Sequence, residues 1–348
     1  MDKKQIYAII YAFLAAVFYA INVPISKLFL QKIEPTTMAA LLYLGAGIGM
    51  SLLSLFNRNN QTKPENLSKK DFPFVIGMIV LDIIAPIFLM FGIKYGSSAN
   101  ASLLGNFEIV ATTIIALFCF KEIVSKRLWI AISLITFSSI LLSFENIDSF
   151  KFSYGSIFVL LAAISWGIEN NCTKKISSKN TYEIVILKGI FSGLGSLIIA
   201  FIKMEKMPQI EYIIYALLLG FVAYGLSIFL YVKSQSIIGA AKTSAYYAVA
   251  PFVGVFLSFV FLKESLTYMY FVSLFIMIIG SSLVVVDTLI KHHSHQHQHT
   301  FTHTHDGSTH THIVTHSHEH SHFVSSDKHT HHHIQAELEK LCLASHSY

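Results

Sequence analysis

Ten apolar stretches, most of them close to twenty residues long, determine what this chain can fold into. A stretch of about 20 apolar residues can cross the hydrocarbon core of a bilayer, where a helix keeps every backbone polar group paired. The chain is 53% hydrophobic and only 13% charged, whereas soluble domains carry about 25% charged residues. The sequence therefore predicts an all-α membrane protein with ten transmembrane helices. The predicted spans are 5–26, 36–56, 72–93, 98–119, 128–144, 155–173, 182–202, 211–231, 240–261 and 267–289.

The sequence repeats itself, and the repeat predicts how the spans are arranged. Gly96–Glu122 and Ile238–Glu264 both open on small residues, pass through an apolar run and end in Lys-Glu, at an offset of 142 (264 − 122). Spans 1 and 6 match at an offset of 148, as Lys27 and Lys175 illustrate, and a longer loop at 57–71 accounts for the difference. Each half holds five spans, an odd number, so the second half enters the membrane from the opposite side. This 5+5 inverted repeat is typical of alternating-access transporters.

The repeat divides the chain into three predicted domains. Residues 1–145 hold spans 1 to 5, residues 152–290 hold spans 6 to 10, and residues 291–348 form a tail. Loops on the side of the N-terminus carry roughly twice as many Lys and Arg residues as loops on the other side, which favours a cytoplasmic position for them. We therefore predict a multi-pass protein of the cell (inner) membrane with both termini in the cytoplasm.

The tail is rich in histidine. All 18 histidines of the chain lie between His292 and His346, many of them as His-X-His, and the spans contain none. Imidazole suits Zn²⁺, Ni²⁺, Co²⁺ or Cu²⁺, so the tail is predicted to bind transition metals and to be disordered without them. A drifted low-complexity segment is the alternative. The candidate ligands are His292, His293, His295, His297, His299, His303, His305, His310, His312, His316, His318, His320, His322, His329, His331, His332 and His333.

Two segments carry a family resemblance. FGIKYGSSANASLL (91–104) and YAVAPFVGVFLSFVFLKESLT (247–267) resemble the ends of the two EamA repeats of the drug/metabolite transporter superfamily. The likeness covers about residues 6–288. Pro251 stands where the family pattern has proline, whereas the corresponding position of the first half is Ile109. The resemblance implies ten helices, a central cavity between the halves and transport of a small organic metabolite, such as an amino acid or related solute.

Two acidic residues stand out within the spans. Asp82 lies in the middle of span 3 and Glu108 in the middle of span 4. A charged side chain at the bilayer centre costs about 2.5–3.5 kcal/mol on insertion scales, so such acids normally face a cavity or a partner. We expect them to bind a substrate amine or a coupling proton. The alternative is that they hydrogen-bond a neighbouring helix as packing contacts. Pro86 removes the usual donor to the carbonyl of Asp82, which predicts a local backbone irregularity.

Further polar residues are predicted to line the cavity. Residues four apart share a helix face, so Asn100 and Glu108 form one face, and Lys242 and Tyr246 form the matching face of span 9. We expect the two faces to oppose each other, with Lys242 attracting a substrate carboxylate or reaching back to the membrane surface. Asn106 and Tyr247 complete this predicted lining.

Spans 1 and 6 carry related aromatic and amide side chains. Tyr19 and Asn22 in span 1, and Trp166 and Asn170 in span 6, suit a gate for a polar solute or an anchor at the membrane interface. Lys188 in span 7 is predicted to extend to the membrane surface.

These features lead to three hypotheses. The first is a secondary transporter of a small organic metabolite, working by alternating access coupled to protons. The second is a metal-handling or metal-regulated transporter that uses the tail, and the third is a metal-responsive receptor that transports nothing. The spans contain no enzyme motif, so no enzymatic activity and no required cofactor are predicted. The expected partners are the solute and membrane lipid rather than nucleic acid, and the sequence leaves open whether the chain forms a homodimer.

Overall fold

The computed structural model describes most of the chain. The described residues are 3–56, 67–121, 124–146, 151–176, 179–238, 243, 246–264, 266–288, 290–305 and 308–323. They separate into a helical unit that ends at Asp287 and a second unit from Thr288 onward. Each unit is treated by itself below.

The helical unit confirms the predicted spans. Seven helical segments of the described residues are long and apolar enough to cross a membrane, and shorter apolar helices accompany them. Each predicted span overlaps one helix or two consecutive helices, so the chain is a multi-pass membrane protein. The helices are α1 (Lys3–Ala20), α2 (Asn22–Phe29), α3 (Pro35–Phe56), α4 (Phe72–Tyr95), α5 (Ser98–Leu104), α6 (Phe107–Phe120), α7 (Lys126–Leu142), α8 (Tyr154–Ile176), α9 (Thr181–Ile202), α10 (Ile210–Gly220), α11 (Ser227–Ile238), α12 (Ala250–Leu262) and α13 (Tyr268–Thr288).

The backbone repeats as the sequence does. Lys121 caps the C-terminal end of α6 and Lys263 caps that of α12, and both residues adopt the left-handed conformation, with φ of 54° and 51°. These two positions are related by the offset of 142 (263 − 121). Helix packing repeats as well. Helix α4 packs against α8, and their counterparts in the other repeat, α11 and α1, also pack against each other.

Glycines allow the helices to approach closely. A Cβ atom added to Gly189 of α9 would lie 2.4 Å from the backbone nitrogen of Gly47 of α3. A Cβ atom added to Gly155 of α8 would lie 2.4 Å from the nitrogen of Gly96, after α4. Both helix pairs join the two repeats, so backbone contact without side chains sets the spacing of the repeats.

Replacing Gly189 with alanine should therefore destabilise the protein. We expect a loss of about 1–3 kcal/mol, because the new methyl group meets backbone that cannot give way. Gly77→Ala is the matched control, since its Cβ meets the Sγ atom of Cys172 at 3.2 Å and alanine favours the helix by about 1 kcal/mol. Thermal unfolding in detergent measures both variants. Equal losses at the two positions would contradict close packing at Gly189.

Charged hydrogen bonds close one end of the helical bundle. The Nζ atom of Lys27 donates to three carbonyl groups in segment 93–99, which contains the end of α4, the connection after it and the start of α5, at 2.6, 3.3 and 2.6 Å. Glu264, from the second repeat, accepts hydrogen bonds from the backbone N–H groups of Ser98 and Ala99 at 2.7 and 2.9 Å. These contacts satisfy backbone groups that helix ends leave unpaired. We call Lys27 and Glu264, with this connection, the end clamp.

Glu264→Gln should weaken the end clamp. The substitution removes the charge from two hydrogen bonds, and hydrogen bonds to charged groups contribute about 1.5–3 kcal/mol. We expect the melting temperature in detergent to fall measurably. Glu34→Gln is the control, because Glu34 forms an exposed ion pair with Lys94 at 2.7 Å, and exposed pairs contribute about 0–1 kcal/mol. If Glu264→Gln is as stable as Glu34→Gln, the end clamp contributes no stability.

The second unit contains paired backbone segments. Ile290–His305 (β3) pairs with Ser308–Phe323 (β4) as an antiparallel hairpin, and the disorder of the tail without metal stays a prediction. Histidine alternates with other residues over much of both segments, which is the two-residue period of a strand, and Asp306-Gly307 between them is a dipeptide typical of hairpin turns. A shorter pair, β1 (Phe144–Asn146) and β2 (Lys151–Phe152), joins the repeats. Residues 324–348, with the candidate ligands His329 and 331–333, lie outside the described part of the chain.

Candidate functional site: a buried ion cluster beside a chain of tyrosines

A buried ion pair joins the two repeats in the middle of the helical unit. Lys188 of α9 places Nζ 3.2 Å from Oδ2 of Asp82 on α4, and 2.9 Å from Oε1 of Glu169 on α8. The hydroxyl of Tyr43 on α3 donates to the other oxygen of Asp82 at 2.9 Å. Thr173, one turn beyond Glu169, donates to the carboxylate of Glu169. One ammonium thus serves two carboxylates, and we call Asp82, Glu169 and Lys188 the ion cluster.

Lys188 does not extend to the membrane surface as the sequence predicts. The side chain is only 18% exposed and turns inward, so the prediction that it reaches the membrane surface is wrong. Both carboxylates are buried, and a buried ion costs several kcal/mol unless a partner compensates it. Oδ2 of Asp82 accepts no hydrogen bond from the described residues, so its ionic contact with Lys188 is what offsets its burial. The ionic contacts with Asp82 and Glu169 therefore stabilise the inward position of the Lys188 side chain.

Glu108 lies beside the ion cluster. The Nδ2 atom of Asn170 on α8 donates to Oε1 of Glu108 at 2.6 Å and to the hydroxyl of Thr112 at 3.3 Å. Asn170 directly follows Glu169, so α8 presents a carboxylate and an amide side by side. Glu108 keeps partial exposure, and within the described residues no ammonium or guanidinium lies within ion-pair distance of it. Two predicted site residues, Glu108 and Asn170, are therefore in direct contact.

Span 4 is not one continuous helix. Helix α5 ends at Leu104 and α6 begins at Phe107. Asn106, at this break, donates to the carbonyl of Leu103 at 3.4 Å, and Asn100 donates to the carbonyl of Leu142 at 3.3 Å. Asn106 therefore bonds within its own span and Asn100 bonds to α7, and neither side chain forms a hydrogen bond with Glu108 among the described residues.

Span 3 is one continuous helix, although its sequence predicts a local irregularity. Helix α4 runs unbroken through Pro86, where the sequence predicts an irregularity.

A chain of five tyrosine rings adjoins the ion cluster. Ring centroids are 5.2 Å apart for Tyr43 and Tyr224, 6.0 Å for Tyr224 and Tyr19, 6.0 Å for Tyr19 and Tyr247, and 5.1 Å for Tyr247 and Tyr231. Such spacings are normal for interacting aromatic side chains. The rings come from α1, α3, the segment after α10, α11 and the segment before α12, so the tyrosine chain also joins the two repeats.

Tyr224 occupies the position of the second repeat that corresponds to Asp82, at the offset of 142 (224 − 82). It lies in Phe221–Leu226, a π-helical segment between α10 and α11, and π-helical turns occur frequently at functional sites. Its hydroxyl accepts a hydrogen bond from Asn22 at 3.0 Å. The sequence analysis missed Tyr43 and Tyr224, although the repeat offset pairs the second of them with Asp82.

The remaining predicted residues separate into two groups. Asn22 is fully buried, so it does not anchor the chain at a membrane interface, and Trp166 packs against the hydrophobic core with partial exposure. The ring of Tyr246 contacts Phe13 at 5.4 Å, not the tyrosine chain. Lys242 lies outside the described residues, so the predicted opposition of its helix face to that of Glu108 stays a prediction.

Known proteins share the sequence pattern and the fold. Residues 6–144 and 153–286 match the EamA-like transporter family. An uncharacterized transporter of Methanothermobacter thermautotrophicus is 23% identical over 297 residues, which cover 80% of this chain and 85% of that protein. A protein known from its crystal structure has the same fold with a TM-score of 0.60 at 13% identity, over 81% of this chain and 96% of that chain.

Proposed function

The chain belongs to the EamA-like transporter family, and we propose that it carries a small organic solute across the membrane by alternating access coupled to protons. The observation that carries the proposal is the ion cluster, in which one lysine serves two buried carboxylates beside a third, Glu108. Ionisable residues inside a membrane mark substrate paths and proton relays. The proposal places the protein in a cell membrane, with its N-terminus in the cytoplasm.

The ion cluster supports coupling because its members come from different repeats. Asp82 belongs to the first repeat, whereas Glu169 and Lys188 belong to the second. A rocking motion between the repeats changes the distance from Lys188 to Asp82, but leaves Lys188 near Glu169. When the ammonium of Lys188 moves away from Asp82, protonation of the Asp82 carboxylate removes the free-energy cost of burying its charge. Proton uptake at Asp82 and separation of the repeats therefore favour each other, which is what coupling requires.

Transport can be tested with the purified protein in liposomes. Vesicles that contain the protein, loaded with a mixture of cell metabolites, are given a pH gradient, and the solutes that leave or enter are identified by mass spectrometry. We expect at least one small organic solute to move faster than in empty vesicles, and to move faster with the gradient than without it. If no solute moves in either direction, the transporter proposal fails and a receptor function is favoured.

A metal-binding role for the tail is the second candidate. Histidines occupy paired positions of the two strands. The pairs are His293 with His320, His295 with His318, and His297 with His316. Histidines at paired positions support the proposal that the tail binds transition-metal ions. Nothing in this arrangement selects one transition metal over another.

Deleting residues 292–348 should separate the two roles. We expect the truncated protein to lose Zn²⁺ and Ni²⁺ binding in calorimetry, because the deletion removes all 18 histidines, and to keep its solute flux. The full-length protein treated with a chelator is the control, and its flux should also persist. Loss of flux in both samples would instead make the metal a regulator of transport.

A further inference from the structure

We propose that the transported solute is a small organic cation without a carboxylate, bound by Glu108 against the faces of the tyrosine chain. The inference rests on the transport function proposed above and names the class of solute for the same site.

The balance of charge at the site favours a cation. The ion cluster and Glu108 together contain three carboxylates and one ammonium. Lys188 lies within 3.2 Å of carboxylates on two different helices, so the two negative charges beside it already outweigh its single positive charge. A phosphate or carboxylate that entered here would meet excess negative charge with no compensating group from the described residues. An ammonium group would reduce that excess.

Glu108 is placed to hold such an ammonium. Asn170 fixes one oxygen of Glu108 at 2.6 Å, and the partly exposed side chain pairs with no cation from the described residues. A carboxylate is costly at this depth, whereas an uncharged amide would be enough for packing through a hydrogen bond. Its charge is therefore explained better by a cationic ligand than by contact with α8 alone.

The tyrosine chain supplies the second half of the site. The tyrosine chain reaches the ion cluster through Tyr43, whose hydroxyl donates to Asp82 at 2.9 Å and whose ring lies 5.2 Å from that of Tyr224. An aromatic face attracts an ammonium group within about 6 Å of the ring centroid, and alkylated ammonium groups are recognised in this way. Tyr19 and Tyr247 remain partly exposed. A carboxylate on one side and rings on the other suit an amine that carries alkyl groups.

Three probes of similar size test this inference on the full-length protein in detergent. Choline is cationic, 3,3-dimethylbutan-1-ol is its uncharged carbon analogue, and glycine betaine adds a carboxylate. Binding is followed by the change in intrinsic tyrosine and tryptophan fluorescence. We expect choline to bind at least about tenfold more tightly than the other two, a difference that one hydrogen bond to a charged group can supply. Equal binding of the uncharged analogue or of betaine would overturn the inference.

Variants show whether the named residues are responsible. We expect Glu108→Gln to weaken choline binding by about tenfold, and Glu34→Gln, on the exposed surface, to leave it unchanged. If Glu108→Gln does not fold, Tyr19→Leu and Tyr19→Phe replace it. Loss of binding in the leucine variant alone supports the ring contact, because phenylalanine keeps the aromatic face. Equal binding in both of these variants, or full binding in Glu108→Gln, argues against the site.

The experiment also distinguishes this inference from the transport function. Charge-selective choline binding without flux of any solute overturns the transport function and leaves the cation site in place. Flux of a solute by a protein that does not discriminate among the three probes overturns the cation site and leaves transport in place.

Discussion

Replacing Lys188 with methionine is expected to lower the free energy of unfolding by about 3–5 kcal/mol, the usual cost of removing one partner from a buried ion pair. Asp82 and Glu169 are both buried and share this one ammonium. Without it, two carboxylates would remain in the membrane interior with no charge to compensate them. The melting temperature in detergent and the yield of monodisperse protein measure the effect.

Two controls identify the cause of this loss. The triple variant Asp82→Asn, Glu169→Gln and Lys188→Met removes all three charges and should regain most of the stability, because buried pairs replaced as a set are often neutral. Lys94→Met breaks an exposed pair and should cost about 0–1 kcal/mol. A Lys188→Met variant as stable as the native protein would show that the lysine lies at the membrane surface after all.

Glu108→Gln is expected to reduce flux driven by a pH gradient by roughly tenfold or more, since a glutamine cannot exchange a proton with the solution. Its amide oxygen can still accept the hydrogen bond from Asn170, so the helices should stay in place. The measurement is proton-driven uptake into liposomes, with the melting temperature of the variant as a check on folding.

Asp82→Asn provides the comparison for Glu108→Gln. If either acid carries the coupling proton, its variant loses the dependence of flux on the gradient while the other variant keeps part of it. Gradient-driven flux that survives in both variants, and in the double variant, would eliminate proton coupling through these two acids. Glu34→Gln should behave as the native protein.

The architecture is accessible from the sequence because its determinants are local. Apolar length predicts each span, and the offsets of 142 and 148 predict two repeats, which agrees with the matching backbone conformations of Lys121 and Lys263. Asp82 and Glu108 are recognisable for a related reason, since a charged residue within an apolar run needs a special environment.

The predictions that differ from the structure depend on contacts between residues far apart in the sequence, or on where a helix is interrupted. Lys188 pairs with an acid 106 positions earlier (188 − 82), and spacing along the chain carries no information about such a contact. The predicted common face of Asn100 and Glu108 requires one continuous helix, whereas the structure has a break between Leu104 and Phe107. Tyr43 and Tyr224 resemble the many aromatic residues that face lipid, so their inward position is not evident from composition.

The end clamp has a consequence for how the protein opens. Glu264 belongs to the second repeat and the two amides that it binds belong to the first, so the repeats cannot part at this end while the carboxylate stays in place. Hydrogen bonds weaken steeply once donor and acceptor are misaligned, and both bonds share one acceptor group. In the proposed alternating-access cycle, release at this end therefore requires both hydrogen bonds to break, and we expect the open form to respond to single substitutions at Glu264 more strongly than to changes in the lipid-facing surface.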